Sequence, residues 1–131
     1  MGYGNEEVFL TQQQREALIW DTMGKTVDVV VDRPIGHVHT TKGITLHYTV
    51  NYGYIPGLMG GDGEEQDVYI LGVAEPLTHF TGRIIAAIHR KDDNEDKLIV
   101  APDGMVFHQA QIAEAVHFQE QYFDYTVETV P

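Results

Sequence analysis

The sequence predicts a mainly β fold, a small barrel with helices packed on its periphery. Short segments rich in β-branched and aromatic residues recur through the middle of the chain, at residues 26–33, 66–73, 82–89 and 97–101. Helical periodicity is confined to regions near the two ends. Many short strands with helices kept to one side favour a closed or nearly closed sheet.

Taken in order, residues 1–10 carry Gly2 and Gly4 and polar positions before Val8-Phe9-Leu10, and read as a loose N-terminal arm. Thr11 is placed to cap a helix through Gln12, Arg15, Leu18 and Ile19 that stops near Gly24. Residues 26–33 form a strand halted by Pro34. Residues 35–45 read as a loop or hairpin, and 46–51 as a short strand. An aromatic, Gly-rich turn, Asn51-Tyr52-Gly53-Tyr54-Ile55-Pro56, then leads towards the strand at 66–73. Glu75-Pro76-Leu77-Thr78 turns the chain into the strands at 82–89 and 97–101. A second helix is expected over 109–122, with Ile112, Ala115, Val116, Gln119 and Tyr122 at helical spacing. No repeat or linker interrupts 1–131, which reads as a single domain.

Composition narrows the function. The chain of 131 residues has 20 acidic against 8 basic side chains, a net charge of −12. That balance argues against nucleic-acid or anionic-membrane partners, which need clustered Lys and Arg. It repels anionic substrates too, unless cations bridge the two. The absence of cysteine removes disulfides, thiolate metal sites and cysteine nucleophiles. With no signal-like or membrane-length apolar run, a cytoplasmic protein is expected.

Two acidic clusters stand out. Asp62, Glu64 and Asp67 precede the apolar run Val68-Tyr69-Ile70-Leu71, and Asp92-Asp93-Asn94-Glu95-Asp96 ends in Lys97 before another. Carboxylates this dense repel one another, and a hard divalent cation such as Mg²⁺ or Mn²⁺ relieves the repulsion. A solvated acidic turn and an exposed hairpin have the same composition. Lys97 is either a phosphate ligand or the partner of Asp93 or Glu95. His37-Val38-His39 puts two imidazoles on one face of an extended segment, a spacing suited to Zn²⁺ or Mn²⁺ but without a local third ligand. His39 or His47 is an alternative phosphate donor, whereas His89 and His117 read as structural.

Asn51-Tyr52-Gly53-Tyr54-Ile55-Pro56, followed by Asp62-Gly63-Glu64-x-x-Asp67-Val68, resembles the signature of the soluble family I inorganic pyrophosphatases. The resemblance extends to Val29 through Pro34, to Asp92–Lys97 with the strand after it, and to His117-Phe118-x-x-x-Tyr122. It implies a five-stranded, OB-like barrel with a metal-filled mouth, and hydrolysis of pyrophosphate by water activated between Mg²⁺ ions. On this resemblance Asp62, Glu64 and Asp67 hold the activating metals, with Asp67 nearest the attacking water. Asp92 or Asp93, and Glu95 or Asp96, hold further metals. Lys97, Tyr52 and Tyr122 contact phosphate, and Asp32 takes the place of an acidic residue at the edge of the site.

The chain departs from the family pattern at Glu64 and Glu65, in place of Asp and Pro, and at Phe123, in place of Lys. The stretch between Asp32 and Asn51 is also short, and lacks a hairpin that brings a Lys and an Arg to the phosphates. Arg33 and Arg90 are the leading substitutes for those cations, with Lys42 and Lys91 behind them, although carboxylate pairing would also explain both arginines. The expected partner is a small-molecule substrate, pyrophosphate or a related phosphoanhydride or nucleotide, with a non-catalytic metal–phosphate module as the other reading. A homo-oligomer is expected, with Phe118, Phe123 or Tyr125 as contacts.

Overall fold

The computed structural model describes residues 20–92 and 95–129, together with Gln14 and Ala17. Its elements are β1 (Thr26–Arg33), β2 (Val38–Thr41), β3 (Ile44–His47), β4 (Asn51–Met59), β5 (Glu65–Ile70), β6 (His79–Arg90), β7 (Asp96–Ala101), α1 (Gln109–Glu120) and β8 (Tyr125–Thr129). The main sheet runs β1-β4-β5-β7-β6-β8, and β1 also pairs with β6. That extra pairing closes five strands into the OB-like barrel and leaves β8 as a flap on β6. Among the described residues β5 and β7 are the one parallel pair; the other pairs are antiparallel.

β7, the second half of β5 and the second half of β6 bury both faces, which is why their sequences are apolar runs, whereas β1 alternates. Val29, Val31, Ile55, Val68, Ile70, Ile84, Ala87, Leu98 and Val100 pack together inside the barrel. Tyr52, Tyr69, Ile88 and Ile99 point outwards to Leu46 of β3 and to Ile112 and Val116 of α1. The buried stripe of α1 continues from Ile112 and Val116 into two polar residues, Gln119 and Glu120. At the other end of the helix the His108 N–H donates to Gln111 Oε1 at 2.7 Å, which closes its first turn.

Several expectations need correction. Residues 51–56 are strand, not turn: β4 begins at Asn51. Gly53 is required there because a Cβ would lie 1.9 Å from the Val30 carbonyl oxygen of β1. Pro56 is accommodated where the β4–β5 register shifts between Ile55 and Met59. The strand expected over 46–51 is divided, since β3 ends at His47 and Tyr48 to Val50 cross to the barrel. The shortened stretch still contains a hairpin, β2–β3, turning through Lys42 and Gly43 with φ of 50° and 78°. Strand β8 was not foreseen, and α1 stops two residues before Tyr122. The N-terminal arm and most of the helix expected from Thr11 lie outside the described residues, although residues 20–22 are helical. Phe118 and Tyr125 pack against the outer core and Phe123 lies against Arg90, each remaining half-buried.

Candidate active site

Parallel pairing puts Val68 of β5 opposite Leu98 of β7. The residues just before them, Asp67 and Lys97, therefore lie side by side near the starts of the two strands. Both follow the outward parity of Tyr69 and Ile99, so the polar residues gather on the outer face of the barrel rather than inside its mouth. Lys97 Nζ donates to Asp67 Oδ2 at 2.8 Å and to Glu95 Oε2 at 2.6 Å. Lys97 is 3% exposed. Burial opposes its charge, but Tyr52, Asp67 and Glu95 outweigh that cost and raise its pKa, so it stays an ammonium. Burial likewise pushes Glu95 up, and Lys97 and Arg90 more than reverse it, leaving Glu95 below the usual range. The buried Tyr52 hydroxyl is held well above an ordinary phenol, chiefly by desolvation.

Asp67, Glu95 and Lys97 form one wall of an open cleft of about 490 Å³. Arg33, His39, Lys42, Ile44 and Leu46 form the wall on the hairpin side, and Tyr122 and Phe123 close the end beyond α1. Arg33 donates to the Tyr48 hydroxyl at 2.6 Å and lies 5.6 Å from the centroids of both Tyr48 and Tyr52. Its charge is the main cause of the lowered pKa of His39. Lys42 and Arg33 are thus at the cleft despite the shortened segment.

Arg90 is engaged differently. Its Nε and Nη2 donate to the two oxygens of Glu120 at 2.9 and 2.8 Å, Nη1 reaches Glu95 at 3.3 Å, and its guanidinium lies 3.6 Å from the Phe123 centroid. Glu120 is fully buried. Arg90 is built into the wall, where it steadies Glu95.

A narrow hollow of about 10 Å³, room for one ion or water, lies beside the cleft between Asp62, Glu65, Asp67, Glu95 and Asp96. Most of the residues lining it are acidic, and carboxylate oxygens are the hard donors that suit Mg²⁺, although the Asp96 carboxylate is taken up by His89. Among the described residues no three acidic or histidine side chains enclose an ion by themselves. Mg²⁺ does not need such a cage, since it keeps several waters and shares substrate phosphates. The donor set therefore fits Mg²⁺.

Some expected residues stand elsewhere. Glu64 is exposed and outside the hollow's lining; its backbone N–H donates to Asp62 Oδ1 at 3.0 Å, and Glu65 lines the hollow instead. Asp96 Oδ1 is 2.7 Å from His89 Nδ1, in a buried pair. Asp92 accepts from the Asp124 N–H at 3.2 Å and ties two loops together, and Asp93 lies outside the described residues. Asp32 is exposed and lines neither space. His37 packs edge-on against Tyr48, and among the described residues no group of three His, Asp or Glu side chains placed to hold a metal forms around it and His39.

The family model described as inorganic pyrophosphatase matches residues 22–127. The chain belongs to the inorganic pyrophosphatase family. As a member of the soluble family I it is a phosphoanhydride hydrolase of the pyrophosphatase type, acting on a small molecule. Similar solved structures include the inorganic pyrophosphatase from Ehrlichia chaffeensis, at 18% identity and a TM-score of 0.62 over 82% of this chain and 88% of that one. That from Coxiella burnetii gives 15% and 0.57 over 82% and 84%. That from Helicobacter pylori gives 18% and 0.55 over 81% and 82%. No curated protein sequence matches significantly. Among the described residues no helix is long and apolar enough to cross a membrane.

Sequence reasoning missed Tyr48, Tyr69, Gln119 and Glu120, which join beneath this pyrophosphatase cleft. The available signal was positional: Gln119 and Glu120 continue the buried stripe of Ile112 and Val116, where a polar pair needs polar partners.

Proposed function

We propose that this pyrophosphatase hydrolyses inorganic pyrophosphate to two phosphates in a Mg²⁺-dependent reaction, with Mn²⁺ able to substitute. The observation that carries this is the Asp67–Lys97–Glu95 arrangement, one buried ammonium between two half-exposed carboxylates at the edge of a cleft. Asp62, Asp67 and Glu95 would hold Mg²⁺, which supplies neutralisation of phosphate charge and a more acidic water when bound. The rest falls to the chain's own groups. Lys97 donates to a phosphate oxygen while fixing Asp67. Asp67 accepts a hydrogen bond from the attacking water and sets its line of approach to phosphorus. The Tyr52 hydroxyl stays protonated and donates, as does that of Tyr122 at the cleft's end. Arg33 and Lys42 grip the far phosphate in place of the missing family cations. A new O–P bond forms from the water oxygen as the anhydride O–P bond breaks; the water's proton passes by way of Asp67 to the phosphate oxygens, and the second phosphate leaves.

The apolar end of the cleft, Ile44 and Leu46 beside Phe123, favours a second reading. Those side chains bind neither metal nor phosphate, and they suit a phosphoanhydride with an organic group, such as a nucleoside diphosphate. We place the enzyme in the cytoplasm as a single-domain homo-oligomer, and light scattering on the purified chain tests the last point. The primary test is phosphate release from pyrophosphate with Mg²⁺, with Mn²⁺, with chelator, and in Asp67→Asn. Metal-dependent release lost in the variant is the expected outcome; no release from folded protein with either metal refutes pyrophosphatase activity.

A further inference from the structure

Arg33 and Arg90 stand on different walls of the cleft, yet one line of hydrogen bonds joins them. Arg33 Nη1 donates to the Tyr48 hydroxyl at 2.6 Å, and Tyr48 donates to Gln119 Oε1 at 2.5 Å. The amide of Gln119 then donates through Nε2 to the Tyr69 hydroxyl at 2.8 Å, and Tyr69 donates to Glu120 Oε2 at 2.6 Å. Glu120 receives Arg90 on both oxygens. Each hydroxyl accepts once and donates once, so the direction of every bond is set by the cations and the carboxylate at the ends. Gln119 is the member of this line that accepts and donates through two different atoms, Oε1 and Nε2. It is 6% exposed, and Phe118 packs edge-on against the rings of both Tyr48 and Tyr69. The chain cannot relax into solvent.

We propose that Gln119 is a positioning residue that fixes Arg33, through Tyr48, in the orientation that grips phosphate, and couples that grip to the Arg90–Glu120 wall. Among the described residues no carboxylate forms an ion pair with Arg33, which has a phenol hydroxyl and two ring faces as partners and the longer-range field of Asp32. Its charge therefore remains available to an anion, while its direction is imposed from beneath. Bonds to a charged group from a preorganised partner carry enough energy to move binding about tenfold each. The inference rests on the reading of the cleft as the phosphoanhydride site.

The test uses Arg33→Gln, Tyr48→Phe and Gln119→Met, and the double variant Tyr48→Phe/Arg33→Gln, each checked for fold by circular dichroism. Steady-state hydrolysis of pyrophosphate with Mg²⁺ is measured alongside side-chain NMR of the Arg33 guanidinium in the substrate-free enzyme. Tyr48→Phe and Gln119→Met are expected to raise KM about tenfold with little change in kcat. Adding Tyr48→Phe to Arg33→Gln should then have no further effect. In the NMR experiment both variants should mobilise Arg33. Fully additive losses, a fall in kcat alone, or an Arg33 signal unchanged in Gln119→Met would overturn the proposal. If the wild type does not turn over pyrophosphate, the reading of the site fails, and the NMR measurement still decides whether Gln119 orders Arg33.

Discussion

Lys97 Nζ sits 2.8 Å from Asp67 Oδ2 because the strands that carry them, β5 and β7, run parallel and in register. An antiparallel pair would have sent these two side chains to opposite ends of the sheet. The single parallel pairing in the barrel thus joins the two acidic clusters, which are far apart in sequence. One buried cation then holds a carboxylate from each, Asp67 and Glu95.

Replacing Lys97 with Met removes that cation and leaves Asp67 and Glu95 facing one another. We expect kcat to fall by about 10²-fold or more, the usual cost of losing a preorganised donor at a reacting phosphate. Both carboxylates reach solvent, so the fold should survive. Circular dichroism and phosphate-release kinetics on the same preparation check the two parts.

The pH dependence of stability follows from the directions of two shifts. The folded pKa of Glu95 is lowered from an ordinary 4.5, so its contribution is present above that value and lost as pH falls through the lower, folded one. The folded pKa of Lys97 is raised from 10.5, so its contribution is present below that value and lost only as pH climbs through the higher one. The pair therefore supports a stability plateau through neutrality, with a decline on the acid side. Urea unfolding at a series of acidic pH values should show a shallower decline in Glu95→Gln than in the wild type. Identical slopes would mean that Glu95 does not gain from Lys97.

Glu120 is the most deeply embedded charge, fully buried beneath Arg90 and Tyr69. Changing it to Gln takes from Arg90 the buried carboxylate it meets on both oxygens and leaves the longer contact to Glu95, and breaking such a buried pair from one side costs about 3–5 kcal/mol. Changing Arg90 and Glu120 together to Met should recover part of that loss, since neither charge is then stranded. Equilibrium denaturation of the single and double variants tests both statements.

Much of this was legible in the sequence. The strands at 26–33 and 97–101 and the start of α1 were readable because apolar, β-branched runs and a helical stripe signal them locally. Asp62, Asp67, Glu95, Lys97, Tyr52 and Tyr122 were named from the motif, and they line the cleft or the hollow beside it. Residues 51–56 misled because Gly53 and Pro56 are turn formers in isolation; only the close passage of β1 explains the glycine. Arg90 was a candidate phosphate grip because nothing local announces Glu120, which lies 30 positions away in sequence. Pairings of that kind are settled by topology rather than by spacing.

Whether the substrate is bare pyrophosphate turns on the apolar end of the cleft. Ile44 is half-buried on the hairpin wall, and Leu46, Tyr122 and Phe123 line the same cleft. A nucleoside diphosphate would lay its organic group there while its phosphates met Arg33, Lys42 and Lys97. Trimming Ile44 to Ala removes part of that surface without touching a charge. If an organic group binds there, Ile44→Ala lowers kcat/KM for a nucleoside diphosphate about tenfold, the scale of a few lost methylenes, and lowers that for pyrophosphate much less. An equal effect on both substrates would show that Ile44 only braces the hairpin. A wild type that hydrolyses pyrophosphate alone would leave the apolar wall with the task of excluding water from the phosphates.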